Sequence, residues 1–143
     1  MSSTKKIDIN SVNIRPMKSS ELTTITLMEA QIFTDAWPQS AFIEFLEDSQ
    51  NGILVAECNG LITGYAVYIF EMGEAHLANI AVAPEFRGKN IAKRLLNRIL
   101  DIAKEAGCVN IFLDVRQSNA VAIEFYRKFG FLELYERPGY YQT

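Results

Sequence analysis

One stretch of the chain has residue types that point directly at a charged ligand: Ile80-Ala81-Val82-Ala83-Pro84-Glu85-Phe86-Arg87-Gly88-Lys89-Asn90-Ile91-Ala92. An apolar run stops at a proline, passes through a basic, turn-prone loop and enters a helix at once. A helix N-terminus exposes unpaired N–H groups and about half a positive charge from its dipole, so a loop that brings the backbone close can cradle a pyrophosphate. Gly88 and Asn90 tolerate left-handed backbone, Ala92 is small, and Arg87 and Lys89 add two cations. The competing reading is an ordinary solvated loop, and short glycine patterns decide little without a strand before and a helix after. Here both flanks are present.

Other chemistry-bearing side chains are sparse. Cys58 and Cys108 stand far apart with no CxxC pattern, and His76 is the single histidine, so soft ligands are too few for a zinc site and no metal is expected. Both cysteines read as small apolar packing residues. His76 has the ordinary pKa of a base, but it precedes Ile80 on the same strand by about 10 to 13 Å of extended chain and reads as satisfied or exposed.

The elements that must position the loop follow from periodicity. Residues 1–11 are polar and aperiodic and read as a loose tail, leaving 12–143 as one domain. Val12 to Met17 alternates as an edge strand ended by proline. Ser19 or Ser20 is then expected to cap a helix carrying Leu22, Ile25, Leu27 and Met28. A second short helix follows Trp37-Pro38, with Ala41, Phe42, Phe45 and Leu46 on one side.

Asn51-Gly52 opens a meander of three antiparallel strands: Ile53 to Cys58, Leu61 to Phe70 across an Asn59-Gly60 turn, and Ala75 to Val82 after Gly73. Ile91, Leu95, Leu96, Ile99, Ile102 and Ala103 recur at helical spacing up to Gly107. Val109 to Val115 reads as a buried strand, and a helix capped by Ser118 or Asn119 runs to Phe129. Gly130 stops that helix, and Phe131 to Tyr135 reads as a further strand. A meander followed by β-α-β-α-β gives an α/β fold, a mixed central sheet with helices on both faces, with the basic loop near the carboxyl end of a central strand.

With 143 residues, 49% hydrophobic and 22% charged, the chain has the size and composition of one globular domain. A net charge of −3 argues against a general nucleic-acid binder. No run approaches the roughly 18 apolar residues of a membrane span, and the N-terminus lacks an apolar signal core, so a cytoplasmic setting is the default expectation.

Arg87-x-x-Asn90-x-Ala92 resembles the (Q/R)xxGx(G/A) loop of the GNAT superfamily of N-acetyltransferases, and the resemblance extends from about Val12 to Thr143. It is carried further by Asn79-Ile80-Ala81-Val82, by Leu113-Asp114-Val115-Arg116-x-Ser118-Asn119-x-x-Ala122-Ile123-x-x-Tyr126, by Phe129-Gly130-Phe131 and by Tyr140-Tyr141. Within the superfamily the chain is most similar to the RimI-like ribosomal-protein alanine N-acetyltransferases.

The resemblance implies acetyl-CoA as co-substrate. Its pyrophosphate would lie on the amides of Gly88, Lys89, Asn90, Ile91, Ala92 and Lys93 beside Arg87, and its pantetheine arm would pair like a strand against Ile80, Ala81 and Val82. Asn119 matches a position that contacts the pantetheine region. An N–H beyond the strand kink would polarise the acetyl carbonyl.

Tyr126 matches the tyrosine that protonates the departing thiolate, and Asp114 the position of a general base. Asp is one methylene shorter than Glu, so Asp114 would work through a water. An α-amine, with a pKa of about 7.7 to 8.0 against about 10.4 for lysine, asks little of that base. Phe33, Tyr140 and Tyr141 would flank the amine-access groove from two loops, with Trp37 either beside them or closing the core.

The resemblance thus implies acetyl transfer to a protein N-terminal α-amine, with a ribosomal protein as one acceptor. The alternatives are a lysine or small-amine acetyltransferase and a non-catalytic acyl-CoA-binding subunit. Two departures stand out. Asn90 holds a position usually given to Gly. Family members also continue past the tyrosine pair into another strand, so the final strand is expected to be missing; the protein would then be a monomer or weak dimer with an open edge or a strand lent by a partner.

Overall fold

The computed structural model describes residues 11–116, 120–131, 135–137 and 140–142. Within them a seven-stranded mixed sheet runs in the order β1-β2-β3-β4-β5-β7-β6. The strands are β1 (Asn13–Pro16), β2 (Asn51–Cys58), β3 (Leu61–Glu71), β4 (Glu74–Val82), β5 (Asn110–Arg116), β6 (Tyr135–Arg137) and β7 (Tyr140–Gln142). Four helices accompany them: α1 (Leu22–Ile32), α2 (Gln39–Leu46), α3 (Ile91–Glu105) and α4 (Ala120–Phe129). None of the described helices is long and apolar enough to cross a membrane.

The meander forms as its turn residues dictate. Asn59 and Gly60 take φ 52° and 82°, and Met72 and Gly73 take φ 51° and 79°, so both hairpins close through consecutive left-handed residues. Alternation along the strands then builds a core on each face. Leu54, Ala56 and Ala66 pack with Leu95, Leu96 and Ile99 of α3 on one side. Ile53, Val55, Tyr65 and Val67 pack with Ile25 of α1 and Phe42 of α2 on the other.

The alternation breaks once in β4, and the break shapes the site. Val67 pairs with Asn79 but Tyr68 pairs with Leu77, so Ala78 is an extra residue, a β-bulge. Leu77 and Ile80 consequently face the same core although they stand three apart. The parallel pairing of β4 with β5 runs only from Glu74↔Asn110 to Leu77↔Leu113 and stops at the bulge. Beyond it the two strands diverge.

Four expectations need correcting. The α1 region opens with a 3₁₀ turn, Ser19–Glu21, capped by Lys18, whose N–H donates to Glu21 Oε1 at 2.8 Å; no serine side chain caps it. Arg15 accounts for this, because its guanidinium bridges Glu21 (2.6 Å) and Glu57 (2.6 Å) and fixes the acidic residue at the turn. Leu27 is 59% exposed and no part of the core stripe. The sixth strand is Tyr135–Arg137, later than the Phe131 to Tyr135 expected, with residues 132–134 outside the described set.

The last correction concerns the tyrosine pair. Tyr140–Gln142 is a strand: it pairs antiparallel with Asp114, Val115 and Arg116 of β5 and with β6 on its other side. The tyrosine pair therefore belongs to the sheet, and its backbone is not in a loop.

Candidate active site

The divergence of β4 from β5 opens a cleft of about 730 Å³. Its floor and walls come from four directions. Ile80, Ala81 and Val82 present the β4 edge that β5 has left; Leu113, Asp114 and Val115 face them from β5; Ala122, Phe125 and Tyr126 close one end from α4; and Glu29, Phe33 and Trp37 wall the other from α1 and the loop behind it. A strand edge without a neighbour carries N–H and C=O groups that an extended ligand can satisfy by pairing as a strand.

Gly64 on β3 shows how tightly this edge is set. A Cβ there would lie 2.8 Å from the Ala81 carbonyl oxygen and 3.3 Å from Ile91 Cγ2, so only glycine lets β4 and α3 approach this closely.

The basic loop lies where β4 ends. A 3₁₀ turn, Pro84–Phe86, reverses the chain, Gly88 takes φ 79°, and Asn90 caps α3 in left-handed backbone at φ 62°, ψ 20°. Asn is the best tolerated non-glycine residue in that conformation, which is why the departure from glycine leaves the helix start intact. The first intrahelical bond at this end is Arg94 N–H to the Asn90 carbonyl at 3.0 Å, so the amides of Ile91, Ala92 and Lys93 have no acceptor within the helix. Ile91 contributes only that amide, since its side chain is core. Arg87 folds back so that its Nε donates to the Val82 carbonyl at 3.2 Å, tying the loop to the end of β4.

Asp114 is the first β5 residue beyond the last β4–β5 pair, an exposed carboxylate on the lip of the split. Tyr126, only 8% exposed, is held edge-on by Phe125 at 5.2 Å and Phe131 at 5.7 Å. Burial pushes its phenol up to about 12, so it keeps its proton at any physiological pH.

Of the residues singled out from the sequence, Asp114, Tyr126, Ile80, Ala81, Val82, Arg87, Ala92 and Phe33 line this one cleft. Gly88, Lys89, Asn90, Ile91 and Lys93 form the adjoining loop and helix start. Asn119 lies outside the described residues, and of Tyr140 and Tyr141 only the backbone is described. Trp37 lines the cleft and also packs against Phe42 (5.2 Å) and Phe45 (5.8 Å). His76 stacks on Phe112 at 5.4 Å.

Glu29 escaped the sequence reading. It lies in the last turn of α1, is 2% exposed, and accepts from Tyr65 Oη (2.5 Å), Asn79 Nδ2 (2.7 Å) and the Trp37 N–H (3.1 Å). A single acidic residue within an otherwise apolar helix face was the available signal. Tyr65 is fully buried, and that burial first, then its donation to Glu29, holds its phenol well above the ordinary range.

A sheet split at a bulge leaves a free strand edge on one side and helix-start amides beyond it, with Asp114 and Tyr126 on the walls of the same cleft. The chain belongs to the acetyltransferase (GNAT) family, whose model matches residues 22–131, and it is an N-acetyltransferase by that membership.

Among its relatives, the N-alpha-acetyltransferase RimI of Mycobacterium tuberculosis is 33% identical over 143 residues, covering 95% of this chain and 88% of that protein. The ribosomal protein bS18-alanine N-acetyltransferase of Escherichia coli is 28% identical over 130 residues, covering 91% and 87%. The crystal structure of the Escherichia coli ribosomal-protein-S18-alanine enzyme superposes with a TM-score of 0.81 at 24% identity, covering 92% of this chain and 88% of that one. The PaiA N-acetyltransferase of Thermoplasma acidophilum, solved in complex with coenzyme A, gives 0.83 at 22% identity, covering 92% and 96%.

Proposed function

We propose that the protein transfers acetyl from acetyl-CoA to the N-terminal α-amine of a protein, of the ribosomal-protein-alanine type. The observation that carries this reading is the placement of Asp114 and Tyr126 on one cleft with the free β4 edge of Ile80 to Val82. The residues present suit acetyl-CoA. The amides of Ile91 to Lys93, with Arg87 and Lys89 beside them, would take the pyrophosphate, and the β4 edge would pair with the pantetheine arm. Bound there, the thioester supplies an activated acetyl group.

Asp114, through a water, takes the proton that the attacking amine must lose, and Tyr126 gives its proton to the sulfur as the C–S bond breaks. An amide bond forms, a thioester bond breaks, and the two protons balance. The α1 side of the cleft, with Phe33 and Trp37, receives the acceptor, and the Tyr140 and Tyr141 strand borders β5 opposite. The bS18-alanine activity named for the Escherichia coli relative supports a protein N-terminus as acceptor.

Intact-mass detection of acetyl transfer tests this with two peptides, one with a free N-terminal Ala and no lysine, the other N-terminally blocked with an internal lysine. Acetylation of the first alone supports the reading. Acetylation of the second alone moves the function to lysine, and no transfer to either, with acetyl-CoA still raising the melting temperature, overturns the catalytic assignment.

A further inference from the structure

We propose that Glu29 is a positioning residue for acetyl transfer: its buried carboxylate fixes the amine side of the cleft by holding Asn79 of β4 and the Trp37 backbone in one register. The inference rests on the acceptor approaching from the α1 side, as proposed above, and is independent of which amine is the acceptor.

Glu is almost never fully buried without a partner, and the three groups that donate to Glu29 are all neutral. An apolar side chain here, one turn from Ile25 on the α1 face that packs on the sheet, would serve the packing of α1 without desolvating a carboxylate. What the carboxylate adds is therefore location.

Tyr65 supplies the fixed point. It lies on β3 opposite Ala81, is fully buried, and stays a donor because burial holds its proton. Glu29 transmits that position in two directions. One oxygen also takes Asn79 Nδ2, and Asn79 is the first residue after the bulge, where the β4 edge becomes free. The other takes the N–H of Trp37, in the loop between α1 and α2. Glu29, Trp37 and Asn79 all line the cleft, so one carboxylate sets the gap between the loop that meets the amine and the strand edge that meets the acyl carrier. A misplacement of either by a fraction of an ångström is felt at the reacting atoms.

Three variants test this in steady-state kinetics, with acetyl-CoA binding measured separately by calorimetry. Glu29→Gln keeps the volume and turns one acceptor into a donor that must face Tyr65 and Asn79 or Trp37. Asn79→Asp places two carboxylates face to face. The double variant restores a donor opposite an acceptor at the 2.7 Å contact. Each single variant is expected to lower kcat about tenfold and raise the acceptor KM about fivefold, with acetyl-CoA affinity within about twofold of wild type; the double variant should recover most of the kcat loss.

Should Glu29→Gln fold poorly, Asn79→Ala at a half-buried cleft position reads the same link, with the kcat loss expected at an unchanged melting temperature. The proposal is overturned if Glu29→Gln matches wild type on both substrates, or if it weakens both substrates alike with no recovery in the double variant. The wild-type control on the two peptides separates these outcomes from failure of the acceptor reading: the acceptor that wild type uses is the one carried into the series.

Discussion

Leu77 and Leu113 face each other as the last pair of the parallel β4–β5 ladder, and the cleft begins where that pairing ends. Ala78 follows directly as the bulge, so the same extra residue that ends the ladder also shifts the side-chain parity of β4. Ile80 and Val82 are thereby turned to the α3 face and Asn79 and Ala81 to the α1 face. A straight β4 would have stayed paired to β5 and left no free edge for a ligand.

The separation of β3 from that edge gives a first expectation. Gly64→Ala puts a Cβ against the Ala81 carbonyl oxygen, at 2.8 Å, and backbone cannot move aside as a flexible side chain would. Destabilisation of about 1–3 kcal/mol is expected, with acetyl-CoA affinity falling because Ala81 is displaced. Chemical denaturation and calorimetry on the same preparation check the two effects. An unchanged affinity would mean that the β4 edge is not where the carrier binds.

Asn90 gives the second. Its φ of 62° is native to glycine, so Asn90→Gly should leave stability within about 0.5 kcal/mol and keep or raise acetyl-CoA affinity, while Asn90→Ala should cost about 1 kcal/mol. A large affinity loss in Asn90→Gly would show that the amide side chain itself binds phosphate.

Much of this was legible in the sequence because local rules acted alone. The Asn59-Gly60 turn, the stripe from Ile91 to Ala103 and the proline-ended edge strand follow from turn chemistry and periodicity, and all three are present. The bulge at Ala78 was not legible: Leu77, Asn79 and Ala81 alternate on paper as any strand does, and the extra residue shows only when β3 is laid alongside. Glu29 was hidden for a related reason, since its donors come from residues 37, 65 and 79, which only the tertiary fold brings together. The Arg15 bridges likewise decided the start of α1 against the serine caps that propensity favours.

Asp114 leads to a pH-dependent expectation. If it takes the amine's proton through a water, Asp114→Asn should lower kcat/KM about tenfold near pH 7, where an α-amine of pKa about 7.7 to 8.0 is still largely protonated. The deficit should shrink as pH rises past 8, because solvent base then takes the proton that the attacking nitrogen sheds in place of Asp114. A constant deficit from pH 6.5 to 9.5 would assign Asp114 to binding instead of proton transfer.

Tyr126 carries the opposite dependence. Burial raises its phenol to about 12, so the acid is in place throughout the working range and the wild-type rate should show no alkaline fall below about pH 11. Tyr126→Phe should lower kcat about 10²-fold while leaving acetyl-CoA affinity within about twofold, since only the proton donor is lost. Stability supplies an independent check with a definite sign. A folded pKa above the unfolded value of about 10 means that the neutral phenol's contribution is fully present below pH 10 and is lost as pH rises through 12. Denaturation from pH 9 to 12 should therefore fall less steeply in Tyr126→Phe than in wild type. A kcat unchanged by the substitution would remove Tyr126 as the acid even if the stability slope changed as expected.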